Sequence, residues 1–153
     1  MSWIDKIKSK TTLRKTDFTN GELWVECPDC KGNIFIADLE KNLRVCTQCS
    51  YHFRISAKQR INQLLDEGTF VESDIDLIST DPIKFKDSKK YKERLRTYLK
   101  KGTHLDAIIS GTGLIKNHQV EISVFEFIFM GGSMGVVVGE KITRSNERAI
   151  KNQ

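Results

Sequence analysis

The apolar residues of this chain change rhythm three times, and each rhythm predicts a different kind of element. Early on they come in short β-prone runs: Leu23-Trp24-Val25, Ile34-Phe35-Ile36 and Leu43-Arg44-Val45, the last two flanking Asp38–Asn42, then Tyr51-His52-Phe53-Arg54-Ile55 as a further strand. A helical period follows. Ser56-Ala57-Lys58-Gln59 is a capping-box signature, Ile61, Leu64 and Leu65 share a face, and Gly68 is placed to stop the helix. Thr69–Glu72 reads as extended and Asp81-Pro82 as a turn. Tyr91, Leu95, Tyr98 and Leu99 then predict an amphipathic helix from Asp87 or Ser88 to Gly102.

The last third reads as strand, strand, helix. Asp106–Ile115 and Gln119–Met130 are strands joined by a turn near Lys116-Asn117-His118. The end of the second, Phe127-Ile128-Phe129-Met130, is apolar on both faces, which predicts burial inside a sheet. Gly131-Gly132-Ser133-Met134-Gly135 turns into a helix through about Lys151 that presents Val138, Ile142, Ser145 and Ala149. At the other end, residues 1–22 carry only scattered apolar positions such as Trp3, Ile4 and Ile7, so a flexible arm is expected there.

Cysteine spacing adds the firmest chemistry. The chain has 4 cysteines, in two pairs: Cys27-Pro28-Asp29-Cys30 and Cys46-Thr47-Gln48-Cys49. Each C-x-x-C knuckle aims two sulfurs at one point, and two knuckles at the ends of a hairpin supply the tetrahedral thiolates that Zn²⁺ prefers. Paired disulfides do not fit Met1-Ser2-Trp3-Ile4-Asp5-Lys6, which shows no export signal. With Cys27, Cys30, Cys46 and Cys49 filling four positions the ion has no open site, so one structural Zn²⁺ per chain is expected. His52 is read as structural, not as a fifth ligand.

Composition narrows the partners. A formal net charge of +5 points to anionic partners, and no apolar run is long enough to span a membrane. The excess concentrates between Lys84 and Lys101, where Asp87 and Glu93 alone oppose nine basic residues. That run reads either as a solvated face or as a surface for phosphates of nucleic acid or coenzyme A. The Gly131–Gly135 turn, between a strand and a helix, can present backbone N–H groups to an anion or can serve only to turn the chain. His104 and His118 show no evident partner, and Glu121 and Glu126 no second carboxylate at a telling spacing.

Met1-Ser2-Trp3-Ile4, the Cys27–Cys49 ribbon, Leu64-Leu65-Asp66-Glu67-Gly68, Asp81-Pro82-Ile83-Lys84-Phe85-Lys86-Asp87-Ser88-Lys89-Lys90-Tyr91 and Phe125-Glu126-Phe127-Ile128-Phe129-Met130-Gly131-Gly132-Ser133-Met134-Gly135 occur in that order. Together they resemble the carboxyltransferase beta subunit of bacterial- and plastid-type acetyl-CoA carboxylase. The resemblance implies an α+β or α/β fold class: an N-terminal four-cysteine zinc ribbon followed by the first β-β-α part of a crotonase-like (ClpP/crotonase) domain, truncated. The expected divisions are an arm at 1–22, the ribbon at 23–55, a helical basic connector at 56–102 and the start of the crotonase-like domain at 103–153.

It further implies transfer of CO2 from carboxybiotin to acetyl-CoA, giving malonyl-CoA for fatty-acid synthesis. The implied partners are the carboxyltransferase alpha subunit, the biotin carboxyl carrier protein that holds biotin, and biotin carboxylase, in bacterial cytoplasm or plastid stroma. In such enzymes the beta subunit's oxyanion donors lie in a second Gly-Gly motif after the helix that closes this sequence. The expectation is therefore a fragment that binds zinc, has no catalytic residue of its own, and carries Gly131 and Gly132 as a turn near the acyl-CoA cleft. The competing expectation is a zinc-ribbon module that binds nucleic acid.

Overall fold

The computed structural model describes residues 23–100 and 104–152. The expected arm at 1–22 and the helix stop at Gly102 lie outside them. Two compact units are present, Met1–Arg54 and Ile55–Gln153.

In the first unit, β1 (Trp24–Glu26) pairs antiparallel with β2 (Asn33–Phe35). The chain then enters a helix, α1 (Ile36–Lys41), where the end of a β-prone run and the segment between two such runs were expected. Ala37, Leu39, Glu40 and Lys41 are good helix formers, and one turn is enough to bury Leu39 completely. Left-handed Leu43 and Arg44 reverse the chain, and the Asn42 side chain braces the reversal by donating to the Val45 carbonyl at 2.8 Å. The expected strand at Tyr51–Ile55 is likewise reduced to a single bridge between Val45 and His52. Cys27, Ile34, Leu39, Cys46 and Phe53 form the core. So small a core, two of whose members are thiols, is stabilised weakly by burial alone.

The second unit begins with α2 (Ala57–Leu64), and its capping box is formed: Ser56 Oγ accepts the Gln59 N–H at 3.2 Å while Gln59 Oε1 accepts the Ser56 N–H at 3.0 Å. The helix ends at Leu64 with Leu65 extended, so Gly68 is not its cap. Gly68 (φ +73°) instead serves the turn after it, closed by the Thr69 N–H on the Asp66 carbonyl. β3 (Val71–Ser73), β4 (Ile108–Ile115) and β5 (His118–Phe125) form an antiparallel sheet in the order β3-β4-β5. The segment read as a basic connector thus contributes an edge strand to the sheet of the segment that follows it. β4 and β5 are joined through Lys116 and Asn117, both left-handed, and Asp66 caps that tight turn by accepting their N–H groups at 3.0 and 2.8 Å.

The sheet's two faces do different work. Gly113 lies against Leu65, so the odd positions of β4 meet the α2 side. Ile108 and Phe125 lie with Val138 and Ile142 of α4 (Val136–Lys151) on the other. That cluster also takes Leu95, Tyr91, Tyr98 and Leu99 from α3 (Tyr91–Leu99), the apolar face expected from the sequence on a helix that starts three or four residues later. The Asp87 carboxylate explains the delay. It accepts the Lys89 N–H and both Nη2 contacts of Arg94, holding a loop ahead of the helix.

Beyond Phe125 the expected strand does not continue. The Glu126 N–H makes a last rung to the Ala107 carbonyl at 2.8 Å, and residues 127–130 then form a turn in which Phe129 is buried while Phe127 and Ile128 are exposed. Their apolar character reflects one inward ring and an uncovered surface, not burial on both faces of a sheet.

Candidate metal centre and glycine turn

The two cysteine knuckles are built alike, residue for residue. In the first, the Lys31 N–H donates to the Cys27 carbonyl (3.0 Å) and the Cys27 N–H to the Gly32 carbonyl (2.9 Å). In the second, the Ser50 N–H donates to the Cys46 carbonyl (3.0 Å) and the Cys46 N–H to the Tyr51 carbonyl (2.8 Å). The residue four past the first cysteine is left-handed in both, Lys31 at φ 61° and Ser50 at φ 62°. This repeated geometry folds each pair of thiols toward one centre.

All four sulfurs lie within 4.8 Å of one another. Cys27 and Cys49 are 3.7 Å apart and Cys30 and Cys46 3.8 Å, across the knuckles. A tetrahedron with zinc–sulfur bonds of ~2.3 Å has edges of about 3.8 Å, which the two cross-knuckle pairs match, so the set fits one zinc ion with at most small shifts. These distances are far too long for disulfides, and all four thiols are free. His52 is exposed and stands outside the group, as expected. Burial works to raise the Cys46 thiol, but N–H groups of Cys49 and Gln48 and the neighbouring thiols outweigh it and bring it to about 7. In Cys49 burial is the largest cause and prevails, pushing the thiol up to about 12. A cation at the centre reverses that penalty, because it compensates the crowded thiolates.

The aromatic and basic residues of this unit divide between core and surface. Phe53 is buried, Arg44 is buried against Glu40 at 3.1 Å, and Tyr51 meets Phe53 edge-on with centroids 5.3 Å apart. They cover a small core more than they form a stacking platform.

In the second unit Met130, Gly131 and Gly132 are left-handed in succession, at φ 47°, 69° and 73°. The Gly132 N–H closes the turn on the Phe129 carbonyl at 2.9 Å, and a Cβ at Gly132 would stand 2.9 Å from the Phe127 ring. Gly135 precedes α4 with no side chain capping the helix. The turn therefore sets helix start against strand end with backbone alone, on a surface bearing the exposed Phe127, Met134 and Val136.

Glu126 is the residue that sequence reasoning missed here. It is buried, and its Oε2 accepts the Ala57 N–H at the start of α2 (3.0 Å) while Oε1 accepts the Ile128 N–H (3.2 Å). His104, expected to lack a partner, has its Nε2 3.4 Å from Glu126 Oε2. Glu121 is also engaged, accepting from Thr112 Oγ1, Ser145 Oγ and Arg148 Nε. Alternation along β5 places Glu121 on the α4 face, the one signal in the sequence that it turns inward. Two surface depressions, of about 390 Å³ beside Asp74 and Arg144 and about 500 Å³ beside Ile61 and Phe70, contain neither the cysteines nor the glycine turn.

Residues 24–49 match the acetyl-CoA carboxylase zinc finger domain family. The acetyl-coenzyme A carboxylase carboxyl transferase subunit beta of Pelobacter propionicus is 43% identical over an alignment covering 100% of this chain and 55% of that protein. The chain is similar to that beta subunit. The corresponding subunit of Citrifermentans bemidjiense is 51% identical over 131 residues, 86% of this chain and 46% of the relative. The chain thus spans about half the length of the beta subunits it matches. A single-chain, multi-domain long-chain acyl-CoA carboxylase shares the fold, with a TM-score of 0.50 at 17% identity, covering 76% of this chain and 10% of that one. The architecture is accordingly a four-cysteine zinc ribbon followed by a β-β-α unit of crotonase-like fold, and the similarity to the beta subunits covers part of their length. No helix among the described residues is long and apolar enough to cross a membrane.

Proposed function

We propose that this chain acts in an acetyl-CoA carboxylase carboxyltransferase, in the transfer of CO2 from carboxybiotin to acetyl-CoA that yields malonyl-CoA for fatty-acid synthesis. The observation that carries this reading is the 43% identity to a beta subunit over 100% of the chain. Its partners are then the alpha subunit, the biotin carboxyl carrier protein and biotin carboxylase, with ATP used by the last of these. The setting is a bacterial cytoplasm or plastid stroma.

In this reading Cys27, Cys30, Cys46 and Cys49 hold one zinc ion that organises the ribbon (residues 23–55) and does no bond-making, since four thiolates fill its tetrahedral shell. Gly131 and Gly132 shape the wall of the acyl-CoA cleft. At Gly132 the space a side chain would take is filled by the Phe127 ring, whereas at Gly131 nothing stands within 4 Å, so in this reading the acyl end meets the turn's backbone on the Gly131 side. Among the described residues no nucleophile, base and orienting group converge as a catalytic set requires. Residues 1–153 therefore serve binding and support, while the donors that stabilise the acetyl enolate come from elsewhere in the assembly.

Co-purification with the alpha subunit, followed by a malonyl-CoA assay with carboxybiotin, tests both parts. Association without turnover by residues 1–153 is expected. Failure to associate removes the functional reading, and robust turnover removes the division of labour.

A further inference from the structure

The basic segment has a shape that composition did not reveal. Lys92, Arg96 and Lys100 recur every four residues and line one flank of α3, with Lys89 just before the helix. All four are exposed, and none makes an ion pair with a carboxylate among the described residues. Asp87, the acid closest in sequence to Lys89, is spent on Arg94 at 2.8 Å. The remaining acid of the helix, Glu93, is exposed, with no cation in its reach among the described residues. Lys92 to Lys100 spans about 12 Å at ~1.5 Å per residue, room for two or three phosphate groups.

A basic face that served only solubility would place its cations toward the helix C-terminus, where the backbone dipole favours them. Here Lys89, Lys90 and Lys92 crowd the other end, and no side chain caps that end. Helix stability explains Arg96, in the last turn, and Lys100, at the C-cap, but not the three lysines at the start. The opposite face of α3 shows where the stripe lies. Tyr98 packs on Phe129 with ring centroids 5.6 Å apart, and Met130 joins the same cluster. Phe129 and Met130 lead directly into Gly131, so α3 lies alongside the glycine turn.

We propose that Lys92, Arg96 and Lys100, with Lys89, receive the phosphate groups of a coenzyme A thioester whose acyl end lies at the Gly131–Gly132 turn. This rests on the acyl-CoA reading above and gives it a second anchor. Nucleic acid is the less fitting occupant, because Tyr91 and Tyr98 of α3 are packed into the core cluster and leave the stripe without an aromatic of the helix to stack a base.

Calorimetric titration of the zinc-loaded chain with coenzyme A, with pantetheine (the same arm without its phosphates) and with a single-stranded RNA separates the possibilities. The double variant Lys92→Glu/Arg96→Glu changes only exposed positions, and its melting curve checks that it folds. Coenzyme A affinity is expected to fall at least about tenfold in the variant, with the slope of log K against log salt reduced by about two, while pantetheine binding is unchanged. Coenzyme A binding that survives the double charge reversal overturns the stripe and leaves the acyl-CoA reading standing. Absence of coenzyme A and pantetheine binding in the parent chain overturns both. RNA binding tighter than coenzyme A, lost in the variant, overturns the proposal in favour of nucleic acid.

Discussion

Arg148 Nη1 donates to Asp74 Oδ2 at 2.6 Å, tying the loop after β3 to the last turns of α4 across 74 positions of sequence. Arg144 Nη1 reaches the other oxygen of Asp74 at 3.0 Å, and Arg148 Nε reaches Glu121 on β5. One carboxylate thus helps to fasten the edge strand and the helix to the same sheet. Asp74 itself is left-handed (φ 56°), a conformation that Asp and Asn tolerate better than most residues, so Asp74→Asn removes charge without adding strain. Asp74 and Arg148 are largely buried while Arg144 is more exposed, and the substitution is expected to cost about 2 kcal/mol in thermal or urea unfolding, most of it from the Arg148 pair.

The pH dependence follows. Burial acts to raise the Asp74 carboxyl, yet the guanidiniums of Arg148 and Arg144 outweigh it and hold it below its ordinary value. A carboxyl depressed in the fold contributes stability that is present in full above its unfolded value of about 3.9 and is lost as pH falls through the folded value. The stability gap between the parent chain and Asp74→Asn should accordingly be constant near neutrality and shrink below about pH 4. A gap that persists unchanged into acid would show that the ion pairs are not its source.

Local chemistry was legible in the sequence and distant pairing was not. The cysteine spacing, the Ser56–Gln59 box, the apolar face of α3 and the strand–turn–strand at Lys116-Asn117 all depend on residues within a few positions of one another, and each stands in the structure. Glu126 with Ala57, and Asp74 with Arg148, join residues 69 and 74 positions apart, which periodicity cannot see. α1 was missed for a different reason. Ile36, preceded by Ile34 and Phe35, looks β-prone, but burying Leu39 in a core this small decides the local conformation. Lys141 was missed because a charged residue on a helix is expected outside. It is buried beneath α4, with Nζ 3.4 Å from the Ile108 carbonyl and Asp106 close enough to feel its charge.

Metal removal should act on one unit only. The ribbon's core of five residues includes two of the thiols, so loss of the ion removes both the cross-link and part of the packing. Elemental analysis is expected to give one zinc per chain. On chelation, amides of residues 24–54 should lose hydrogen-exchange protection while those of β4, β5 and α4 retain it. Cys46→Ser should reproduce the effect without chelator, and unchanged protection in the ribbon after either treatment would remove the metal from the account.

Gly131 and Gly132 should differ in a measurable way. Alanine at either is strained by the left-handed backbone, a cost of about 1–2 kcal/mol. At Gly131 nothing stands within 4 Å of the added carbon, whereas at Gly132 it meets the Phe127 ring at 2.9 Å. Gly132→Ala is therefore the more destabilising of the two. Because Phe127 is half exposed and can be removed without a large cavity, the excess should vanish when both variants are compared in a Phe127→Ala background. Equal costs in both backgrounds would mean that φ alone, and not close approach, requires the second glycine.

Glu126 offers the sharpest test of how the second unit is held together. Its carboxylate is 1% exposed, and its oxygens accept N–H groups from the first residue of α2 and from the turn ahead of Gly131, with His104 alongside. Glu126→Ala leaves the buried Ala57 N–H without its acceptor, at a cost of about 1–3 kcal/mol, while the Ile128 N–H is half-buried and water can replace part of its bond. Glu126→Gln keeps one oxygen but turns an amide N–H₂ toward a donor, so it should recover only part of the loss. Exchange protection at the Ala57 and Ile128 amides should fall in both variants before global unfolding, since each amide loses its own acceptor. If Ala57 and Ile128 stay protected in Glu126→Ala, the buried carboxylate is not what joins α2 to the glycine turn.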